Sequence, residues 1–319
     1  MKETPRTVSA LIVTYNSSAD VGGAIESVEV AAREAGLALE LIVIDNASSD
    51  GSADIVRVAA PDARVIANAE NVGFGRATNQ GLAVASGGSV LLLNPDARLA
   101  PDALGILHRA LGELAAGAVA PTIGEAGAES AGMAPGLRSA AGHFLGLNRL
   151  LRGDGGGPWR GVQVRRRGGD PRPVEWASAA VLLLDAGAMR DIGGFDERFF
   201  MYGEDVDLCL RLGRSARRIW LVPAAHATHA IAASQGGVST GWVDALHDMA
   251  RLDGGAARGA AFDLVMASGL TARAIVAGAG ASGFRSLHAR RMRAAARRAW
   301  RLLVHPRSRE GHTFAQPPC

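Results

Sequence analysis

Short apolar runs alternate with stretches of helical period through the first 120 residues. Residues 8–14 form a mainly apolar run, broken by Ser9 and ending in Thr14, and residues 39–44 a second, broken only by Glu40, while 65–67 and 89–93 supply two more. Each is short enough to be a buried strand. Between the first two, Ala24, Val28, Ala31, Ala32 and Ala35 recur at helical spacing behind Ser17 and Asp20, which read as a capping box. A short helix begins near Ser52, another covers 75–85, and a third covers 101–114 with Pro101 in its first turn. This alternation predicts an α/β fold with a doubly wound sheet covered by helices. The rhythm fails over 122–173, a Gly- and Pro-rich stretch read as a long irregular insertion. It returns as an apolar strand over 174–184, a short helix before Gly193, a helix over 205–214 and a strand over 219–222. Beyond Trp242 only helices are expected.

A chain of 319 residues exceeds one ordinary domain and can bury its own core without staples. Its two cysteines, Cys209 and Cys319, suit neither a disulfide framework nor a metal set, so a reducing, cytoplasmic setting is expected. No signal-peptide layout opens the chain, and the longest apolar stretch, 260–284, is interrupted by Asp263, Arg273 and glycines, which argues against a membrane span. Arginine makes up 33 of the 34 basic residues, a bias that with 41 glycines reflects a GC-rich genome as much as arginine chemistry. Its placement is more telling. Residues 271–310 hold ten arginines against Glu310, a net +9 within a whole-chain +3, so the remainder carries −6. A basic tail on an acidic body points to an anionic surface. The apolar residues interleaved with arginine from 284 to 304 suit a helix on an anionic membrane; no nucleic-acid module surrounds the run.

Open α/β sheets bind ligands beyond the carboxyl ends of their strands. Three such ends here are polar: Thr14, Tyr15 and Asn16; Asp45 and Asn46; Asn94, Pro95 and Asp96. Turn capping would explain any one of them, but three together suggest a site. Asp96 stands where a carboxylate could hold Mg2+ or Mn2+ beside a diphosphate. Glu204, Asp205 and Asp207 crowd the start of a helix, a surrounding that raises carboxylate proton affinity and suits a general base. Arg76 and Asn79, behind Gly73 and Gly75, open another helix suited to a diphosphate. The glycine spacing departs from a dinucleotide fingerprint at Thr78, and the motif follows the third strand rather than the first.

The segments VSALIVTYNS (8–17), LIVIDNASSDGS (41–52), NVGFGRATNQG (71–81), VLLLNPDA (90–97), VEWASAAVLLL (174–184) and GGFDERFFMYGEDVDLCLR (193–211) run in one order along the chain. Together they resemble the inverting family 2 glycosyltransferases of GT-A fold, in their bacterial rhamnosyltransferase-like branch. The resemblance implies a mixed-sheet catalytic domain over 1–240, with a nucleotide-binding half to 120, the insertion over 122–173 and an acceptor and catalytic half over 174–240. Residues 241–319 would form a helical, basic extension. It further implies that Thr14, Tyr15, Asn16, Asp45 and Asn46 line the nucleotide pocket. Arg76, Asn79 and Asn94 would lie at the donor, Trp176, Ser178 and Ala179 on the acceptor side, and Asp96 and His229 at the metal. His229 sits in an HxxxxS context with Ser234. Asp205 would be the base, with Glu204 its rival. The donor implied is dTDP-L-rhamnose and the acceptor a glycan or polyprenyl-diphosphate-linked sugar of the cell envelope, met at the inner face of the membrane. The competing reading is an inactive sugar-nucleotide-binding scaffold on that surface. A nucleotidyltransferase would open with a Gly-rich, basic loop after the first strand, which TYNSSADVGG is not.

Overall fold

A computed structural model describes residues 7–124, 131–147, 169–230, 240–279 and 287–306. They divide into two compact units, one from residues 1–131 and 165–234, the other from 132–164 and 235–319.

The first unit is built on a nine-stranded mixed sheet. In chain order its elements are β1 (Thr7–Thr14), α1 (Val21–Ala35), β2 (Ala38–Asp45), α2 (Ser52–Ala59), β3 (Arg64–Ala67), α3 (Phe74–Leu82), β4 (Ser89–Leu93), β5 (Ala97–Leu99), α4 (Ala103–Glu113) and β6 (Ala118–Ile123). After the segment belonging to the second unit come β7 (Arg172–Val174), β8 (Val181–Asp185), α6 (Ala186–Asp191), α7 (Glu204–Arg214) and β9 (Ile219–His229). The strand order is β3-β2-β1-β4-β8-β6-β9-β5, with β7 also on β9. The β3, β2, β1 and β4 neighbours are parallel, so these strands end on one edge, whereas β8 runs antiparallel to both β4 and β6. Burial on both faces explains why β1, β2 and β4 read as near-continuous apolar runs. One face packs Ile12, Val43 and Leu91 against Ile25 and Val28 of α1 and Leu104 and Leu107 of α4.

Four local expectations change. No side chain caps α1: the Ser17 carbonyl takes the N–H groups of Asp20 and Val21, while its hydroxyl stays with the backbone of Tyr15. The run over 174–184 is three short strands, because the Ser178–Ala180 turn steps out of the sheet before β8. β9 continues past Val222 to His229 through Pro223. A register shift between Val222 and His226 accommodates the proline, which has no N–H to donate. Finally, the irregular insertion contains a helix, α5 (Leu137–Phe144), opened by Ser139, whose hydroxyl accepts the Gly136 N–H. Too few large apolar residues mark its face to show a period.

The second unit packs α5 with α8 (Gly241–Ala279) and α9 (Leu287–Val304). α8 breaks at Gly255, whose φ of 71° is left-handed, into arms 241–254 and 256–279. Phe144, Val243, Phe262, Met266, Leu270, Ala299 and Leu302 form its core. Across the break, fully buried His247 and Asp263 meet at 2.9 Å, and Arg251 bonds to both. Arg251 donates to Nε2 of His247, so the imidazole proton sits on Nδ1 and faces Asp263.

Candidate functional site

The ends of β1 and β2 are stitched together side chain to side chain. Thr14 and Asp45 are register partners, and the Thr14 hydroxyl donates to Asp45 Oδ1 at 2.8 Å. The Ser48 N–H donates to the other oxygen at 3.1 Å. Both residues are buried, so the carboxylate is held in place. Asn16, at a left-handed φ of 50°, accepts from the Ser49 N–H while its own N–H donates to Ser48. Tyr15 stands half exposed beside this turn. Asn46 donates to the Gly73 carbonyl and accepts from Asn68, which exchanges hydrogen bonds with Gln80. Asn68 and Gln80 were not anticipated from sequence, although Asn68 follows β3 and the strand-end rule reaches it too.

At the start of α3, Gly73 has a φ of 86°, and a Cβ there would lie 2.6 Å from the Phe200 carbonyl oxygen. The Phe74 N–H donates to that carbonyl, which fastens α3 to the loop leading into α7. Asn79 does the same, spending both amide hydrogens on the Phe195 carbonyl and Glu197 and accepting from the Phe195 N–H. It therefore positions that loop and has no amide hydrogen left for a ligand. Arg76 remains exposed, 3.7 Å from Glu197.

The end of β4 meets the end of β9. Asp96 Oδ1 lies 3.0 Å from His229 Nε2, and the Asn94 amide lies 3.3 Å from the same nitrogen. The neighbouring His226 is engaged by Thr122 instead, at 2.8 Å. Ser234 falls outside the described residues. No group of three or more His, Cys, Asp or Glu arranged to hold a metal ion occurs among the described residues.

Asp205 is tied to this corner through a turn. Its carboxylate accepts the N–H groups of Val206 and Ala179, and the next residue, Ala180, accepts the Asn94 N–H at 2.8 Å. Ser178 steadies the turn by accepting the Ala180 N–H, and Trp176 and Ala179 are buried beside it. Tyr202 and Gly203 both adopt left-handed backbone, with φ of 69° and 92°, so the chain turns sharply before α7 begins at Glu204. Burial raises the Asp205 proton affinity, and the two N–H groups hold that rise back. Glu204 is only 7% exposed, and its Oε2 has no hydrogen-bond partner. Burial, and then the Asp205 charge, push its carboxyl up to about 8. Burial likewise pushes the Cys209 thiol up to about 12, which removes it as a nucleophile.

The family model for glycosyl transferase family 2 matches residues 9–169. The chain is 31% identical over 219 residues to the N-acetylglucosaminyl-diphospho-decaprenol L-rhamnosyltransferase of Mycobacterium tuberculosis, covering 62% of this chain and 68% of that protein. It is 43% identical over 56 residues to the rhamnosyltransferase WbbL of Escherichia coli, 18% of this chain and 21% of that one. Among solved structures, the mannosyltransferase PcManGT of Pyrobaculum calidifontis, in complex with GDP-Man and Mn2+, aligns with a TM-score of 0.58 at 19% identity, over 96% of this chain and 89% of its own. That likeness establishes the fold, a GT-A sheet followed by helices.

Proposed function

Because the chain belongs to glycosyl transferase family 2, in its rhamnosyltransferase branch, we propose that it moves L-rhamnose from dTDP-L-rhamnose to a hydroxyl of a polyprenyl-diphosphate-linked sugar, with inversion. The M. tuberculosis relative supports this choice of sugar and acceptor by its name. The observation that carries the chemistry is the connected corner in which Asp205, the Ala179–Ala180 turn, Asn94, Asp96 and His229 follow one another through hydrogen bonds and close contacts.

An inverting transfer is a single displacement. The acceptor oxygen attacks the anomeric carbon as the bond to the diphosphate oxygen breaks, and the hydroxyl proton must go to a base. Asp205 is that base. Its carboxylate is fixed by two N–H groups, and partial burial makes it more basic than a surface carboxylate. Glu204, pushed up to about 8, is protonated at neutral pH and leaves Asp205 as the ionised partner. The Thr14–Asp45 pair presents a rigid acceptor edge to the pyrimidine, Tyr15 offers an exposed ring, and Arg76 an exposed charge toward phosphate. Asn79 contributes by holding the loop before α7.

Asp96 and His229 would offer a divalent cation one carboxylate and one imidazole, with the remaining positions left to phosphate oxygens and water. Such a cation, Mg2+ or Mn2+, would neutralise charge developing on the departing diphosphate. The test offers purified protein dTDP-L-rhamnose and a lipid-linked N-acetylglucosamine diphosphate acceptor and follows glycolipid product by mass spectrometry. Wild type makes product, and Asp205→Asn lowers turnover by about 10² to 10⁴ with little change in donor affinity. Full activity of Asp205→Asn alongside a dead Glu204→Gln would reverse the assignment of the base.

A further inference from the structure

We propose that the second unit docks on an anionic lipid bilayer through a composite face made by the distal arm of α8 and the outer side of α9. On the arm over 256–279, the exposed positions past Arg258 include Leu264, Ala272, Ile275 and Val276, with Ile275 61% and Val276 73% exposed. Their spacing of eight, three and one residues puts them on one side of the helix, and no charge interrupts them. The two charges within that stretch turn away. Asp263 is buried against His247 and Arg251, and Arg273 donates to the His143 carbonyl with its guanidinium 5.9 Å from the Phe144 ring.

α9 supplies the charged border. Its own apolar residues Ala295, Ala299 and Leu302 are consumed by packing within the unit, so they cannot enter a membrane as the sequence pattern suggested. What it exposes is Arg290, Arg297 and Arg301, spaced seven and four apart on one side, with Trp300 on the flank and Val304 in the last turn. None of these three arginines has an ion-pair partner among the described residues. The Trp300 indole donates to Thr271 at 3.0 Å, which lays that flank beside the uncharged stripe of α8. An apolar stripe bordered by an indole and a row of arginines is the composition of a surface that sits at headgroup depth.

Two other occupants fit less well. Counted from Gly255 to Ala279 the helix is 25 residues long and apolar enough to cross a membrane. Crossing would, however, tear Asp263 from His247 and Arg251 and strip the cover from Phe262 and Met266. A second copy packed face to face would set arginine rows against each other, whereas anionic headgroups neutralise them.

The experiment is flotation of the full chain with phosphatidylglycerol-containing vesicles and with pure phosphatidylcholine vesicles, at low and high salt. Binding is expected only to the anionic vesicles and only at low salt. Each arginine near such a surface is worth about fivefold in partitioning, so Arg297→Ala with Arg301→Ala should weaken binding about 30-fold. Ile275→Glu with Val276→Glu, both at exposed positions, should abolish it while dTDP binding in solution stays unchanged. That last readout separates this proposal from the catalytic one. Equal flotation of the glutamate variant, or equal binding to neutral vesicles, would overturn the inference. So would a self-association abolished by those glutamates with no vesicle binding at all.

Discussion

Glu204 lends itself to a thermodynamic test that needs neither donor nor acceptor. In the folded protein its carboxyl is pushed up to about 8, against an ordinary value of 4.5, by burial and by the Asp205 charge. Below pH 4.5 both folded and unfolded chains hold the proton, and the group is neutral in each. As pH rises past 4.5 the unfolded chain releases it while the folded chain keeps it, so stability falls. The loss is about 1.4 kcal/mol for each pH unit until the folded carboxyl also ionises near 8. Across that interval it amounts to roughly 5 kcal/mol, an upper bound because water entry on ionisation would lower it. Glu204→Gln keeps the side chain's size and cannot ionise. The variant should therefore gain stability relative to wild type by several kcal/mol between pH 4.5 and pH 9, most steeply below 8. Urea unfolding of both proteins across this range, followed by circular dichroism, measures the difference. If the stability gap between variant and wild type is the same at pH 5 and pH 9, Glu204 is not held protonated, and the argument that it leaves Asp205 as the ionised group fails.

Two further outcomes follow from the site. Asp96→Ala should abolish transfer and the cation-dependent part of dTDP binding while leaving the unfolding transition in place; wild-type activity undiminished by EDTA would contradict the role given to Asp96. Gly73→Ala should cost about 1–3 kcal/mol of stability and slow turnover, since it forces a side chain onto a left-handed backbone 2.6 Å from the Phe200 carbonyl oxygen. Thermal unfolding and initial rates together check it, and an unchanged melting temperature would mean that the loop yields freely.

The parts of the fold that could be read from sequence are those whose burial is one-sided or complete. β1, β2 and β4 lie inside the sheet and are buried along most of their length, so their apolar runs stand out. α1 buries one face through Val21, Ala24, Ile25, Val28 and Ala31 and shows its period. β6 and β9 were harder because each carries a proline, Pro121 and Pro223, and β9 alternates buried and exposed positions only from Pro223 on. Of the site, the polar strand ends were visible one at a time. The contacts that join them were not, because they use backbone groups: Ala179 N–H on Asp205, Ala180 carbonyl on Asn94, Phe200 carbonyl on Phe74. Alanine and phenylalanine identities carry no trace of such bonds. Asn79 was visible as a polar residue of a motif, but its bonds to the Phe195 backbone were not, for the same reason.

The Asp96, Asn94 and His229 corner holds one further consequence for the chemistry. His229 Nε2 faces a carboxylate oxygen at 3.0 Å and an amide nitrogen at 3.3 Å. The first contact calls for a proton on Nε2 and the second for a lone pair, and one nitrogen cannot supply both. The corner therefore has two states: an imidazole N–H donating to Asp96, or an Nε2 lone pair accepting from Asn94. Only the second leaves Asp96 without a hydrogen-bond partner in His229, and it is also the state in which the imidazole can act as a ligand.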